Sequence, residues 1–323
     1  MPYILGAYAA APKTPAYDPV LEGRYFAELR ALEGVRGLEL PFYGTLHPHD
    51  VAALLTNLKP EWSYVLTGLP GTMDALTRNP HFGLASHSTA GRAAALDFCR
   101  GLRDAAATLN GRFGRPVVEA VELHTAPRQG PAGVAASAEA LADSLREIRG
   151  WDWSGARLAV EHCDAHVPGR PPQKGFLRLE SECEALAATE AAPTPAGIVI
   201  NWGRSAIEGR SPDAPIAHLR AARARNLLCG LMLSGACAQD AVYGDWQDTH
   251  APFAPAFGIQ HGAERSLLTA ERAAACLREA GSALDILGIK IQPLPASVSL
   301  ETRVAYLRDA IRWLDAVVVA AHA

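Results

Sequence analysis

The segment RLAVEHCDAH, residues 157–166, is a short apolar run that ends in a dense group of ionisable side chains. Its first half has the length and composition of a buried β-strand. Its second half supplies two carboxylates and two imidazoles, from Glu161, His162, Asp164 and His166. In α/β enzymes the reactive groups lie at the carboxyl ends of parallel strands. The segment therefore predicts a strand of a parallel sheet that ends at a functional site.

The same pattern recurs along the chain, where short apolar runs alternate with loops rich in Gly, Pro or His and with longer segments of helical spacing. Eight strand-like runs lie at residues 3–8, 37–40, 63–67, 117–123, 158–161, 197–201, 227–233 and 285–291. Strands that alternate with helices form parallel sheets with right-handed crossovers. Eight such units match a (β/α)8 barrel, which takes roughly 250 residues plus insertions. We expect an α/β fold with a single TIM barrel domain over residues 1–323, and not an open doubly wound sheet, because no G-x-G-x-x-G follows the first strand.

Helices are expected between these strands, at residues 89–110, 134–149, 216–225, 269–280 and 300–319. Apolar side chains recur every three or four residues in the last of them. Thr269 and Ser299 each precede an early acidic residue, as a helix-capping hydroxyl does. Long loops are expected after strands 3 and 7, at residues 66–89 and 234–268, where they would cover the mouth of the barrel as lids or binding walls. Trp246 suits a platform for a sugar ring or a subunit contact.

Composition excludes some classes of partner. The formal net charge is −4, the pI is near 6.3, and no run of Lys and Arg suits a phosphate backbone, so no nucleic acid partner is expected. Six cysteines are scattered without a C-x-x-C pair, which is typical of reduced thiols in a cytoplasmic protein. No apolar run approaches the length of a membrane span, so no membrane partner is expected. A homo-oligomer remains possible.

Polar residues follow most of the predicted strands, at the end where an active site would form. They are Glu39 after the second strand, Glu122 and His124 after the fourth, Glu161 with its neighbours after the fifth, Asn201 and Arg204 after the sixth, and Lys290 in the eighth. Because side chains alternate along a strand, an ionic residue between apolar neighbours near a strand end is expected to point into the mouth of the barrel. Lys290 and Glu161 are of this kind.

With Glu39, Glu161 and the Asn201-Trp-Gly-Arg204 segment at these strand ends, the chain resembles the xylose isomerase-like superfamily of sugar isomerases and epimerases, in an uncharacterised bacterial branch. The resemblance implies a divalent metal held by a Glu, an Asp, a His and a Glu at the ends of strands five to eight. Glu161 matches the first ligand. Asn201 stands in place of the Asp, Ser234 in place of the His, and Lys290 in place of the final Glu.

These replacements reduce the negative charge that the site offers to a metal. They also put the ammonium of Lys290 in the place of the metal. We therefore hypothesise that Lys290 is the electrophile that stabilises an enolate when a proton is removed beside a carbonyl. Glu161 would be the base, and His124 or His162 the acid. An isomerase, epimerase or lyase acting on an unphosphorylated sugar, keto-sugar or sugar acid follows from this reading.

Several alternatives stay open. A divalent metal is possible as a cofactor, held by Glu161, Asp164 and His166. Lys290 is also a candidate for a Schiff base in a lyase, and a non-catalytic sugar-binding barrel is a further possibility. The predicted substrate-binding residues are Glu39, His162, Asp164, Asn201, Arg204, Trp246 and His250, with Arg204 as a clamp for an anionic group.

Overall fold

The structure is a computed structural model that describes residues 3–281 and 284–322. Eight parallel strands pair in chain order and close into a barrel, because β8 pairs with β1. The predicted (β/α)8 barrel is therefore confirmed. The strands are β1 (Tyr3–Leu5), β2 (Val35–Pro41), β3 (Ser63–Thr67), β4 (Val118–Leu123), β5 (Arg157–His162), β6 (Ala196–Asn201), β7 (Leu228–Leu233) and β8 (Ile286–Ile289).

Helices surround the barrel, and a 3-10 helix over Ala7–Ala10 follows β1. The α-helices are α1 (Pro19–Arg30), α2 (Val51–Asn57), α3 (Leu69–Arg78), α4 (Thr89–Phe113), α5 (Ala138–Ile148), α6 (Leu179–Ala187), α7 (Trp202–Gly209), α8 (Ala214–Arg223), α9 (Ala270–Ala280) and α10 (Leu300–His322). The predicted capping roles are confirmed, since Thr269 Oγ1 accepts from the Arg272 amide and Ser299 Oγ accepts from the Thr302 amide.

Two layers of buried side chains follow from the alternation along each strand. Residues that point outward, such as Leu158 and Val160, pack against the helices in the main core. Residues that point inward fill the barrel with a separate apolar layer: Ile4, Val65, Ala120, Ala159, Val199, Cys229, Met232 and Ile286. Two residues further along most strands, the same inward direction belongs to polar side chains. The apolar layer is thus the floor on which the site lies.

The connection after β3 differs from the expected long loop, because α3 occupies ten of its residues. Pro70 lies in the first turn of α3, where its missing N–H would have no partner in any case. The connection after β7 is long, because the next α-helix begins at Ala270, and it contains isolated bridges such as Gly235 with Ala251.

All six cysteines are buried and free of disulfides, as the sequence predicts. Within residues 3–281 and 284–322, no helix combines the length and the apolar character needed to cross a membrane.

Candidate active site

A polar layer lies directly above the apolar floor of the barrel. Glu39, Glu122, Glu161 and Asn201 reach it from β2, β4, β5 and β6, and Lys290 follows the last residue of β8. Each of these five residues is at most 1% exposed. The prediction that Glu39, Glu161, Asn201 and Lys290 converge is confirmed by their contacts. An ionic layer this deeply buried is costly unless its charges are paired.

Lys290 is the cation at the centre of this layer. Its Nζ donates to Glu39 Oε1 at 2.6 Å and lies 3.5 Å from Glu161 Oε1. The Tyr8 ring lies 5.5 Å from the same nitrogen. Burial disfavours the ammonium, but the two carboxylates outweigh burial and raise the pKa of Lys290 well above its usual range. Lys290 is therefore charged at neutral pH.

Gly6 leaves the space that Lys290 occupies. A Cβ at Gly6 would lie 2.7 Å from the Lys290 Cγ and 2.8 Å from Glu39 Oε2. Such a contact is too close for any side chain. The glycine after β1 thus allows the ammonium and the Glu39 carboxylate to meet.

Glu161 is surrounded by donors. Its Oε1 accepts from Asn201 Nδ2 at 3.1 Å and pairs with Arg204 Nη1 at 2.6 Å, in addition to the Lys290 contact. Its Oε2 contacts His124 Nε2 at 2.9 Å. Burial raises the pKa of the Glu161 carboxyl, but Arg204 and Lys290 outweigh burial and hold it well below its usual range. Glu161 is a fixed anion and a poor proton acceptor.

Glu39 and Glu122 differ from Glu161 in having carboxylate oxygens with no partner. Glu39 Oε2 and both oxygens of Glu122 are buried without a hydrogen bond from any described residue. Burial raises the pKa of both carboxyls, and the neighbouring carboxylates add to this effect for Glu122, whose pKa is well above its usual range. Glu122 therefore favours its protonated form more strongly than an ordinary glutamate does, and Glu39 has the chemistry of a general base.

His124 is buried and neutral. Burial lowers the pKa of its imidazole despite the contact with Glu161. Because Nε2 faces a carboxylate, the proton of the neutral ring is assigned to Nε2. Nδ1 is then an acceptor, and it too has no partner among residues 3–281 and 284–322.

A series of contacting charged and polar side chains lies at the mouth of the barrel, next to these residues. Asp248, in the long connection after β7, accepts from Arg204 Nε at 3.0 Å and from Lys174 Nζ at 2.8 Å. His250 Nδ1 lies 2.8 Å from Ser234 Oγ and 3.4 Å from Asp248 Oδ1. Lys174, Asp248 and His250 form the cover of the barrel mouth. Arg204, a predicted site residue like His250, connects this cover to the polar layer.

A pocket of about 250 Å³ reaches the polar layer from the side of α1. Its lining is mostly apolar and aromatic, with Tyr17, Tyr25 and Tyr43 among its walls. Tyr8 and Glu39 belong to its lining, and Glu161 and Lys290 do not. A ligand in the pocket would meet Glu39 before it met Glu161.

Four predicted site residues lie outside the polar layer: His162, Trp246, Asp164 and His166. His162 points to the outer face of β5, where Glu182 and Glu208 bind its two ring nitrogens. This placement corrects the expectation that His162 contacts substrate or acts as the acid, and its physical reason is alternation: Glu161 points inward, so its neighbour points outward. Trp246 stacks on the guanidinium of Arg210 at 5.4 Å.

Asp164 and His166 do not join Glu161, which corrects the expectation of a metal site formed by these three residues. The Asp164 carboxylate accepts from the backbone amides of Gln173 and Lys174 and thereby shapes the loop after β5. Close groups of possible metal ligands around Glu161, in the part of the chain that the structure describes, contain His124 with Cys163 and Glu39 with Glu122. Neither group includes Asp164 or His166.

The metal that the sequence resemblance implies does not fit the residues present. The ammonium of Lys290 lies between Glu39 and Glu161, so these two carboxylates already hold a cation. Burial raises the pKa of the Cys163 thiol well above its usual range, which disfavours the thiolate that a metal would need. Asn201 and Ser234 offer neutral oxygens only.

Sequence reasoning missed Tyr8 and Asp248. Tyr8 ends the first apolar run, two residues after Gly6, so its place near the mouth was a usable signal. Asp248 lies in a long connection without periodicity, and no pattern singles it out from the other acidic residues there.

Comparisons with known proteins agree with this architecture. A family model described as "Domain of unknown function (DUF4862)" matches residues 4–306. The uncharacterized protein STM3670 of Salmonella typhimurium is 37% identical over 313 residues, which is 97% of this chain and 96% of that protein.

Solved structures share the fold at low identity. A putative xylose isomerase from Rhodospirillum rubrum has a TM-score of 0.63 and 13% identity, with 98% of each chain covered. D-Psicose 3-epimerase from Clostridium cellulolyticum, solved with D-tagatose, has a TM-score of 0.57 and 11% identity, with 97% of each chain covered. This chain therefore shares the TIM barrel fold of these two structures.

Proposed function

This chain belongs to the DUF4862 family, and we propose that it is an enzyme that transfers a proton beside the carbonyl of a sugar, keto-sugar or sugar acid. The carrying observation is the contact of the Lys290 ammonium with Glu39, whose second oxygen is buried without a described partner. A cation and a free carboxylate oxygen at one point are the two groups that enolisation requires.

Lys290 would stabilise the charge that develops on the carbonyl oxygen. When a C–H proton beside the carbonyl is removed, the electron pair moves toward that oxygen, and a fixed ammonium in a water-poor site stabilises it strongly. Glu39 and Glu161 keep Lys290 charged. A Schiff base is disfavoured by the same contacts, because a lysine attacks a carbonyl only as the free amine.

Glu39 is a better base than Glu161, which revises the role expected for Glu161. Glu161 contacts Arg204, Asn201, Lys290 and His124 and has a depressed pKa, so it has little tendency to take a proton. The pKa of the Glu39 carboxyl is raised by burial, and Glu39 also faces the pocket. We assign Glu161 the role of anchoring Arg204, Lys290 and His124 in place.

Glu122 completes the scheme as the acid. Glu39, Glu122 and Glu161 offer oxygens within 4.8 Å of one another, and Glu122 is the member whose pKa is raised well above its usual range. A proton taken by Glu39 and a proton returned by Glu122 to the other face or the neighbouring atom would give epimerisation or isomerisation. When the environments of two carboxyl groups give them different pKa values, one group can act as the base and the other as the acid.

Arg204 is a weak candidate for a clamp on an anionic substrate. Its Nε donates to Asp248 and its Nη1 pairs with Glu161. These contacts occupy the guanidinium, so a neutral sugar or keto-sugar fits the site better than a sugar acid.

Exchange of carbon-bound hydrogen tests the proposal before any product is known. The protein is incubated in deuterated water with a panel of unphosphorylated ketoses, aldoses, keto-sugars and sugar acids, and deuterium incorporation is followed by NMR. We expect incorporation beside the carbonyl of at least one neutral member. Stoichiometric binding without exchange across the panel would contradict the proposal and identify a sugar-binding barrel instead.

A further inference from the structure

A second buried polar cluster lies outside the barrel, between β5 and the helices α6, α7 and α8. It contains His162 from β5, Glu182 from α6, Glu208 from α7 and His218 from α8. None of these residues enters the proposed reaction. His162 and Glu182 are fully buried, while the side chains of Glu208 and His218 are 14% and 17% exposed.

We propose that His162, Glu208 and His218 form a binding site for a divalent transition metal such as zinc. One ligand atom from each residue lies within 4.8 Å of the others. His162 Nε2 is 3.1 Å from Glu208 Oε2, and His218 Nε2 is 3.7 Å from Glu208 Oε1. Tetrahedral zinc with bonds of about 2.0 Å separates its ligand atoms by about 3.3 Å. The distances from the two imidazoles to Glu208, each to a different carboxylate oxygen, lie on either side of this value.

The far nitrogen of each imidazole is already held in the orientation that a metal ligand needs. His162 Nδ1 contacts Glu182 Oε2 at 2.8 Å, and Glu182 is fixed in turn by the Thr125 hydroxyl at 2.7 Å. His218 Nδ1 contacts Ser205 Oγ at 3.0 Å. A carboxylate or hydroxyl behind each histidine orients the ring and fixes its tautomer, which is the usual support of a metal-bound imidazole.

Charge favours a dication here. Glu182 and Glu208 contribute −2 to this cluster. A dication bound by the two imidazoles in their neutral form brings the sum of the four side chains and the ion to 0. Two imidazoles and a carboxylate are nitrogen and oxygen ligands that suit zinc better than calcium or magnesium.

Access is available from one side. His162 is enclosed, but Glu208 and His218 reach the surface, so an ion can enter there and a water can take the fourth position. The site does not depend on the proposed reaction, because it lies on the opposite face of β5 from Glu161.

Zinc titration of the purified full-length chain, after removal of metals with a chelator, tests this inference. Free zinc is measured with a competing chromophoric chelator. We expect about one equivalent to bind to the wild type, and at least about tenfold weaker binding in His218→Ala and Glu208→Gln. The exposed His87→Ala is the matched control and should bind as the wild type does.

Two further variants separate this site from the mouth of the barrel and from a folding defect. Glu39→Gln, which lies in the inner cluster and should remain folded, should keep the zinc affinity. Ser205→Ala keeps all three ligands and should weaken zinc binding by about 10- to 100-fold through loss of the His218 support. Binding below a tenth of an equivalent, or an affinity lost in Glu39→Gln and unchanged in His218→Ala, would overturn the inference.

Discussion

Glu161 and His162 are neighbours in the chain, yet they belong to two buried clusters of opposite design. On the inner face of β5, Arg204 and Lys290 hold the Glu161 carboxylate as an anion. On the outer face, Glu182 and Glu208 hold the His162 imidazole, and they outweigh burial to raise its pKa well above the usual range. The alternation of a single strand separates a cation-rich cluster from an acid-rich one.

The charges show what this separation achieves. In the inner cluster Glu39, Glu161 and Asp248 contribute −3 and Lys290, Arg204 and Lys174 contribute +3, so these six paired side chains sum to 0. In the outer cluster Glu182 and Glu208 contribute −2 and face two imidazoles. The inner cluster carries its own cation and suits an anionic transition state, whereas the outer one suits an added cation.

The largest expected effect is at Lys290, the cation that distinguishes the inner cluster. Lys290→Met should reduce hydrogen exchange with the substrate found in the panel by about 1000-fold, because the developing oxyanion loses the ammonium that stabilises it. The exchange rate of the folded protein is the measurement. Lys174→Met, which removes a cation from the cover, is the matched control and should cost far less. Equal losses of exchange rate in Lys290→Met and Lys174→Met would contradict the role of Lys290 as the electrophile.

Neutralising one carboxylate in each cluster compares how much the two clusters contribute to the free energy of unfolding. Glu161→Gln leaves Arg204 and Lys290 without their shared anion and should lower the free energy of unfolding by about 3 to 5 kcal/mol. Glu182→Gln leaves His162 with Glu208 and with an amide oxygen, so we expect a smaller loss of about 1 to 3 kcal/mol. Urea denaturation measures both. A larger loss in Glu182→Gln would reverse the comparison.

Acid should weaken the cover of the inner cluster through His250. Burial lowers the pKa of His250 to about 3 from 6.5. A depressed histidine pKa means that the unfolded chain binds the proton first, so the stability is full above pH 6.5 and falls as the pH drops toward 3. Between pH 7 and pH 5 this amounts to about 2 kcal/mol at about 1.4 kcal/mol per unit. Urea denaturation at both pH values should show a shallower pH dependence for His250→Asn, and an unchanged slope would contradict the assignment.

Trp246 belongs to neither cluster and should show the smallest effect. Trp246→Ala removes the contact with Arg210, which is worth about 0.5 to 1 kcal/mol at a partly exposed position. Substrate affinity should hardly change, since the ring is engaged by Arg210. A large rise in KM in Trp246→Ala, with normal stability, would contradict this prediction and support Trp246 as a platform for a sugar ring.

The sequence predicts the barrel and the central pair of the site for clear physical reasons. Eight apolar runs mark the strands, and Lys290 and Glu161 stand out as ionic residues at the ends of apolar runs. The outward direction of His162 was also available, because the inward direction of Glu161 determines it. The helix α3 was missed because Pro70 and Gly71 resemble a loop.

The division of roles between Glu39 and Glu161 was not available from the sequence. Both are buried glutamates at strand ends, and what distinguishes them is the set of donors around each. Glu161 is contacted by Arg204, whose other partner Asp248 lies 44 positions further along in an irregular connection. Such pairings depend on the three-dimensional path of the loops.

The central claim is that Glu39, and not Glu161, takes the proton while Lys290 stabilises the enolate. Its most direct test is the pH profile of hydrogen exchange in deuterated water for the wild type and Glu39→Gln. We predict that Glu39→Gln remains folded and loses about 100- to 10,000-fold in exchange rate together with the acidic limb of the profile. Exchange at a near-normal rate with that limb retained in Glu39→Gln would contradict the account.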